Sequence, residues 1–215
     1  MADFEAVNGG RRYVYDLLSR LYEREVDEEL LGELISAAEG GELARRFEAL
    51  AELDERVGRG VDLMLGYLRS AAGRARKDVM LELAAEYASL FLGVKGTPPH
   101  PSESAYMSVG HLMYQEQRDE VVALYRDMGV DKVKEFTEPE DHVAVELSFM
   151  SYLIDRTLEE WRKGNLGEAR RLLEVQRRFL REHLLKWVHR FAEDVESNAE
   201  VDFYRGLAYL TDGFL

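Results

Sequence analysis

Apolar residues recur along this chain at the three- and four-residue spacing that places them on one face of an α-helix. Between Val79 and Phe91, for example, Val79, Leu83 and Tyr87 are each four positions apart. Strand signals are almost lacking, because no sustained two-residue alternation occurs and no Asn-Gly or Asp-Gly pair separates β-branched runs. The pattern therefore predicts an all-α protein, a single globular domain of about nine to eleven helices.

Capping residues and glycines mark the boundaries of the N-terminal helices. A first helix is predicted from about Phe4 to Arg24, and Asp27 is placed to cap the second. The glycine pair at Gly40 and Gly41 ends that second helix. Three more helices are predicted before residue 94.

The C-terminal part shows the same signals. A helical pattern resumes after the proline-rich segment and continues to Gly129. Thr137 and Glu140 have the spacing of a capping box, with Pro139 in the first turn, and predict the start of a long amphipathic helix there. A further helix is predicted from Leu166 to about residue 195, followed by a last one.

A proline-rich connector interrupts the helices near the middle of the chain. Residues 94–102 contain Pro98, Pro99 and Pro101, three of the four prolines of the sequence. Proline fixes φ and lacks an N–H, so this connector is expected to be stiff. It predicts an N-terminal helical half at 1–93, a hinge loop at 94–102 and a C-terminal helical half at 103–215.

Composition narrows the functional classes. A formal net charge of -14 argues against nucleic-acid binding, which needs clustered lysine and arginine. The absence of cysteine excludes disulfides, thiolate metal ligands and a cysteine nucleophile, and is compatible with a reducing cytosol. No stretch reaches the roughly 20 apolar residues of a membrane-spanning helix. We therefore predict a soluble protein without membrane insertion.

Catalytic motifs are not found in the sequence. There is no phosphate-binding loop, no G-x-G-x-x-G, no H-E-x-x-H and no G-x-S-x-G. His142 and Glu146 are four residues apart and could ligate a metal together with His100 or His111, but such a pair is more often a hydrogen-bonding pair. His183 is expected to be a partly buried, satisfied histidine. We predict no enzyme activity, cofactor or metal.

Four ordered blocks resemble the TorD/DmsD/NarJ family of maturation chaperones. They are YASLFLGVKGTPPHPSES (Tyr87–Ser104), EPEDHVAVELSFM (Glu138–Met150), FLREHLLKWVHRFAEDV (Phe179–Val195) and DFYRGLAYL (Asp202–Leu210). Val94 and Ser102 depart from residues common in that family. These departures bear on the subfamily, and therefore on which enzyme, the client, such a chaperone would serve.

The resemblance implies a function in which the protein itself catalyses no reaction. It implies a cytoplasmic, enzyme-specific chaperone that binds the twin-arginine signal region of the catalytic subunit of a molybdopterin oxidoreductase of anaerobic respiration. The chaperone would hold the apoprotein until the cofactor is inserted, before export or assembly. Its partners would be the signal peptide and the apo catalytic subunit.

A receptor for two guanidinium groups and an apolar segment needs carboxylates beside a hydrophobic groove. Glu103 and Asp141 are candidates for the carboxylates, Asp141 with His142 at a helix start, where the helix dipole would lower the basicity of the imidazole. The competing interpretation is that both carboxylates only cap helices and that the apolar residues are core. The predicted signal-peptide site comprises Tyr87, Leu90, Phe91, Pro98, Pro101, Glu103, Ser104, Tyr106, Asp141 and His142.

Two other functions stay open. A nucleotide-binding helical regulator is suggested by guanine-nucleotide binding within the resembled family, although no phosphate loop is visible. The second is a helical scaffold without a peptide site, which would oligomerise as a domain-swapped homodimer about the proline-rich hinge.

Overall fold

The computed structural model describes residues 2–93, 99–110 and 112–215. This part of the chain contains α-helices, one π-helical segment at Leu180–Leu184 and a single isolated β-bridge, with no strand. The all-α prediction is confirmed. The helices are α1 (Ala2–Glu23), α2 (Glu28–Glu39), α3 (Glu42–Leu53), α4 (Glu55–Ala72), α5 (Arg76–Phe91), α6 (Glu103–Met107), α7 (Glu116–Asp127), α8 (Val143–Arg162), α9 (Leu166–Phe179), α10 (Leu185–Asn198) and α11 (Asp202–Phe214).

Helix α2 begins and ends where its capping residues predict. Asp27 is the N-cap of α2, and its carboxylate accepts a hydrogen bond from the Leu30 N–H at 2.9 Å. Gly40 follows the last residue of α2. None of the helices in the described residues is both long and apolar enough to cross a bilayer.

The helix predicted to continue to Gly129 is broken, which corrects the sequence-based expectation. Helix α6 ends at Met107, and α7 begins only at Glu116. Ser108 causes part of this break, because its hydroxyl donates to the Leu112 carbonyl and accepts from the Leu112 N–H. A serine side chain bonded to nearby backbone in this way competes with the helical hydrogen bonds. Tyr114, with φ of 60°, also departs from helical geometry.

The predicted start of the long helix near Thr137 and Glu140 is also wrong. Helix α8 begins at Val143, and its N-cap residue is His142. The Glu140 carboxylate is instead paired with the Arg118 guanidinium at 2.6 Å. An ion pair with another helix therefore replaces the expected capping box.

The chain divides into two compact units, each made from two separate stretches. The first unit comprises residues 1–23 and 101–187, and in it α1 packs along α8, which also packs against α9. Ser19 on α1 donates a hydrogen bond to the Ala144 carbonyl at 2.7 Å. Leu18, Leu147 and Ile154 are fully buried in this unit.

The second unit comprises residues 24–100 and 188–215. Its main contact is between α4 and α11, with α2 and α3 packed against α4. The two helices cross at Gly60 and Gly206, where a Cβ on Gly60 would lie 2.6 Å from the Leu210 nitrogen. Only glycine permits so close an approach of two backbones. Glu86 is buried in this unit and accepts hydrogen bonds from the N–H groups that precede α11. The predicted boundaries at 94–102 stay a prediction, since residues 94–98 lie outside the described part.

Candidate functional site

Two of the sequence blocks that carry the family resemblance meet in the first unit. Ser102 and His142 form the antiparallel β-bridge, the Val143 N–H donates to the Pro101 carbonyl at 2.8 Å, and the Glu103 N–H donates to the Asp141 carbonyl at 2.9 Å. The segment that opens α6 is thus fixed to the segment that opens α8. We call this contact, residues 101–104 with residues 141–143, the motif junction.

Asp141 caps α6, the helix across the junction, and not the helix that follows it in sequence. One carboxylate oxygen, Oδ2, accepts the Ser104 N–H at 2.8 Å, and the side chain is fully buried. The other oxygen, Oδ1, is buried and has no hydrogen-bond partner among the described residues. The junction therefore contains a carboxylate oxygen with an unused acceptor.

His142 is a buried neutral imidazole that caps α8. Its Nδ1 accepts the Ala144 N–H at 3.1 Å, so Nδ1 carries no proton and the neutral ring bears its proton on Nε2. Burial lowers the pKa of His142 to about 3, with a smaller contribution in the same direction from the Lys132 ammonium. The sequence predicted a lowered basicity of this imidazole, and the direction agrees, but the main cause is desolvation and not the helix dipole. The Phe136 ring meets the imidazole edge-on at 5.1 Å.

Glu103 forms a buried hydrogen bond with His183. Glu103 Oε2 and His183 Nδ1 are 2.8 Å apart, and the two side chains are 1% and 4% exposed. His183 lies in the π-helical segment between α9 and α10, where the extra residue in the turn shifts the register of the helix. His183 is thus buried and satisfied, as predicted, and ties the motif junction to the third sequence block.

Glu146, which the sequence suggested as a metal ligand or as the hydrogen-bonding partner of His142, is instead buried against Trp187. Trp187 Nε1 donates to its Oε2 at 3.2 Å, and Oε1 is buried without a partner in the described chain. Burial raises the pKa of Glu146 well above its usual range, and the neighbouring Glu103 and Asp141 carboxylates raise it further. Burial therefore favours the protonated form of Glu146. Residues 2–93, 99–110 and 112–215 contain no His, Asp and Glu group suited to a metal.

The remaining predicted residues are distributed over both units. In the first, Tyr106 is buried with its ring 5.6 Å from that of Trp187, and Pro101 is half-buried. In the second, Tyr87 and Leu90 are buried, and the half-buried Phe91 contacts three aromatic rings. Pro98 lies outside the described residues. The structure thus brings together Pro101, Glu103, Ser104, Tyr106, Asp141 and His142.

Family membership follows from comparison with known proteins. Residues 42–193 match the family model described as nitrate reductase delta subunit, and the chain belongs to this family of TorD- and NarJ-like proteins. The chain is similar along its whole length to the chaperone protein TorD of Photobacterium profundum, with 30% identity over 216 residues and 94% of that protein covered. The chaperone protein TorD of Vibrio parahaemolyticus is also 30% identical, with 95% covered.

A more distant relative is the chaperone protein TorD of Aliivibrio salmonicida, which is 26% identical over 215 residues with 95% of its length covered. The family and these relatives make the protein an enzyme-specific chaperone of molybdoenzyme maturation. This role involves no catalysis, so the prediction that the protein is not an enzyme is confirmed.

Proposed function

We propose that this chaperone acts in the cytoplasm by binding the twin-arginine signal region of a molybdopterin oxidoreductase catalytic subunit, and that it holds the apoprotein until the cofactor is inserted. The observation that carries the proposal is the motif junction, in which the buried Asp141 side chain has an unused acceptor oxygen and the buried Glu103 is bonded through its N–H to the Asp141 carbonyl. The residues predicted for the signal site, Tyr87, Leu90, Phe91, Pro98, Pro101, Glu103, Ser104, Tyr106, Asp141 and His142, remain those proposed to form it.

The chemistry of the junction supports an arginine-bearing ligand. A buried carboxylate oxygen without a donor is unfavourable, and a guanidinium offers five N–H donors in a planar fork that matches a carboxylate. Binding requires the segment around α6 to move, because Asp141 and Glu103 are buried. That segment is short. Helix α6 has five residues, and the described hydrogen bonds that tie residues 101–104 to residues 141–143 are two between backbones and one to the Asp141 side chain.

The proposal is tested by titration calorimetry with a synthetic signal peptide of a molybdoenzyme from the same genome, beside a version in which both arginines are lysines. We expect binding in the micromolar range, about -8 kcal/mol, and weaker binding of the lysine peptide because lysine lacks the bidentate fork. Asp141→Asn keeps an acceptor for the Ser104 N–H but replaces the unused acceptor oxygen with an amide NH2 group, and is expected to weaken binding at least tenfold.

Asp127→Asn is the matched control, since Asp127 is an exposed carboxylate at the end of α7 and its loss should leave binding unchanged. Circular dichroism verifies that both variants fold. Equal affinity for the arginine and lysine peptides, together with unchanged binding by Asp141→Asn, would remove the junction from the proposal.

The other two functions give different signals in the same experiment. A nucleotide-binding regulator would respond to guanine nucleotides and ignore the peptide. An oligomerising scaffold would form concentration-dependent dimers in sedimentation velocity with no response to either ligand.

A further inference from the structure

A groove that shares no residue with the motif junction, although its Phe136 and Ala144 contact His142, lies in the first unit between α1, α8 and the loop that follows α7. It has a volume of about 410 Å³. This volume falls in the range of roughly 300–1,000 Å³ typical of ligand pockets. Four residues of α1 that line it, from Asp16 to Glu23, follow one another at helical spacing along one face. The groove therefore runs along a helix pair.

The groove is present because the side chains between α1 and α8 are small at this position. The Ser19 hydroxyl is bonded to the Ala144 carbonyl, and Ser148, one turn further along α8, is exposed. Neither serine nor alanine fills the space between the helices. The loop after α7 forms the facing wall with Val133 and Phe136, and Val133 is 61% exposed.

The inner surface of the groove is apolar because its polar groups are bonded to the backbone. The Tyr125 hydroxyl donates to the Glu140 carbonyl at 3.1 Å, and the Tyr152 hydroxyl donates to the Met128 carbonyl at 3.2 Å. Their rings, with Phe149 between them, remain as hydrophobic lining. Such a surface favours aliphatic or aromatic side chains of a ligand.

The rim of the groove is acidic. Three carboxylates line it, those of Asp16, Glu23 and Asp131, against the cations of Arg20 and Lys132. The Lys132 ammonium is already bonded to the Glu138 carbonyl and lies near the Phe136 ring.

Neither Glu23 nor Asp131 has an ion pair within the described residues, whereas Asp16 is near the Arg12 guanidinium. With a chain charge of -14, this rim attracts a cationic ligand.

We propose that this groove binds a short apolar peptide segment carrying an adjacent basic residue, and that it is a second anchoring site for the client chain. The apolar side chains occupy the space over Ser148 and Phe149, and the basic residue meets the carboxylates of Glu23 and Asp131. The assignment of this peptide to the client rests on the proposed function, whereas the class of ligand follows from the groove itself.

The absence of cysteine allows a direct test. Ser148→Cys introduces a single thiol inside the groove, and Val109→Cys introduces one at a site that is 97% exposed outside it. The rate of thiol modification by a maleimide is measured with no peptide, with the full signal peptide, and with a short peptide that has an apolar segment and one arginine but no arginine pair. We expect both peptides at saturation to slow the reaction of the Ser148 variant at least fivefold, with no change for the Val109 variant.

A second variant tests the groove without a label. Ser148→Trp fills the space and is expected to reduce the affinity for the short peptide at least tenfold, whereas Val109→Trp, at an exposed site outside the groove, leaves it unchanged. Circular dichroism excludes unfolding as the cause.

The outcomes distinguish this proposal from the proposed function. If the full peptide binds in calorimetry but neither peptide slows the reaction at Ser148→Cys, the groove proposal is overturned and signal binding stands. Protection by the short peptide alone, with no binding of the full signal peptide, supports the class of ligand proposed for the groove but refutes signal binding and the assignment of this ligand to the client. If neither peptide binds or protects, both proposals fail.

Discussion

Lowering the pH from 7 to 5 should destabilise the protein through His142. Burial holds the pKa of this imidazole at about 3 in the folded protein, against 6.5 for an ordinary histidine. Because the folded pKa is lowered, the unfolded chain binds the proton more readily between these two values, and stability falls as the pH falls through this window. The cap on Ala144 is lost if the ring is protonated at Nδ1.

The size of the effect follows from the pKa difference. At pH 5 the unfolded chain gains about 2 kcal/mol from protonation of this one group, while at pH 7 it gains only about 0.2 kcal/mol. The folded state gains almost nothing at either pH. His142 alone should therefore reduce the free energy of unfolding by about 2 kcal/mol between pH 7 and pH 5.

Urea unfolding of the native protein and of His142→Asn at the two pH values measures this contribution. Asparagine is a good N-cap and can accept from the Ala144 N–H, but it does not titrate. The native protein should lose about 2 kcal/mol more than the variant between pH 7 and pH 5. His100→Asn is the control, because His100 is a partly exposed histidine that lies outside the helices. Equal losses in the native protein and His142→Asn would refute the assignment of a buried neutral imidazole.

Two further predictions concern stability. Glu146→Gln should stabilise the protein at pH 8 and have little effect near pH 4.5, because the raised pKa of Glu146 makes the native protein lose stability as the pH rises above 4.5. The amide oxygen of the variant still accepts the hydrogen bond from Trp187. Urea unfolding over a pH series measures this, and the same pH dependence of the unfolding free energy in both proteins would contradict it. Gly60→Ala should cost about 1–3 kcal/mol, because the added Cβ would lie 2.6 Å from the Leu210 nitrogen, whereas Gly66→Ala on the same helix meets nothing within 4 Å and should gain about 0.5–1 kcal/mol. Equal thermal stability of the two alanine variants would refute the close crossing of α4 and α11.

The sequence was sufficient for the helical class and for helix ends set by local capping. Asp27 lies next to the helix that it caps, so its role is visible in a window of a few residues. Asp141 is different, since its carboxylate caps a helix that begins 38 residues earlier in the chain, at Glu103. No local pattern contains that partner, and the same holds for Glu140 and Arg118.

The motifs indicated two segments that meet in the structure, but not how their side chains are arranged there. Glu103 and Asp141 were predicted as carboxylates for a ligand, and the structure buries both at the junction. Glu146 was missed as part of the same cluster, because a glutamate four residues after a histidine looks like a surface pair. Its burial depends on Trp187, 41 residues further on, and on a π-helical turn that has no simple sequence signature.

The discontinuous composition of the first unit has a consequence for synthesis on the ribosome. Helix α1 ends at Glu23, but α8, against which it packs, begins only at Val143. At about 5–20 residues per second, α1 waits on the order of 10 s before its partner is made. During that time the apolar face with Leu18 and Leu21 has no native surface to cover it. Nascent chains of this chaperone should therefore themselves bind general chaperones that recognise exposed apolar helices.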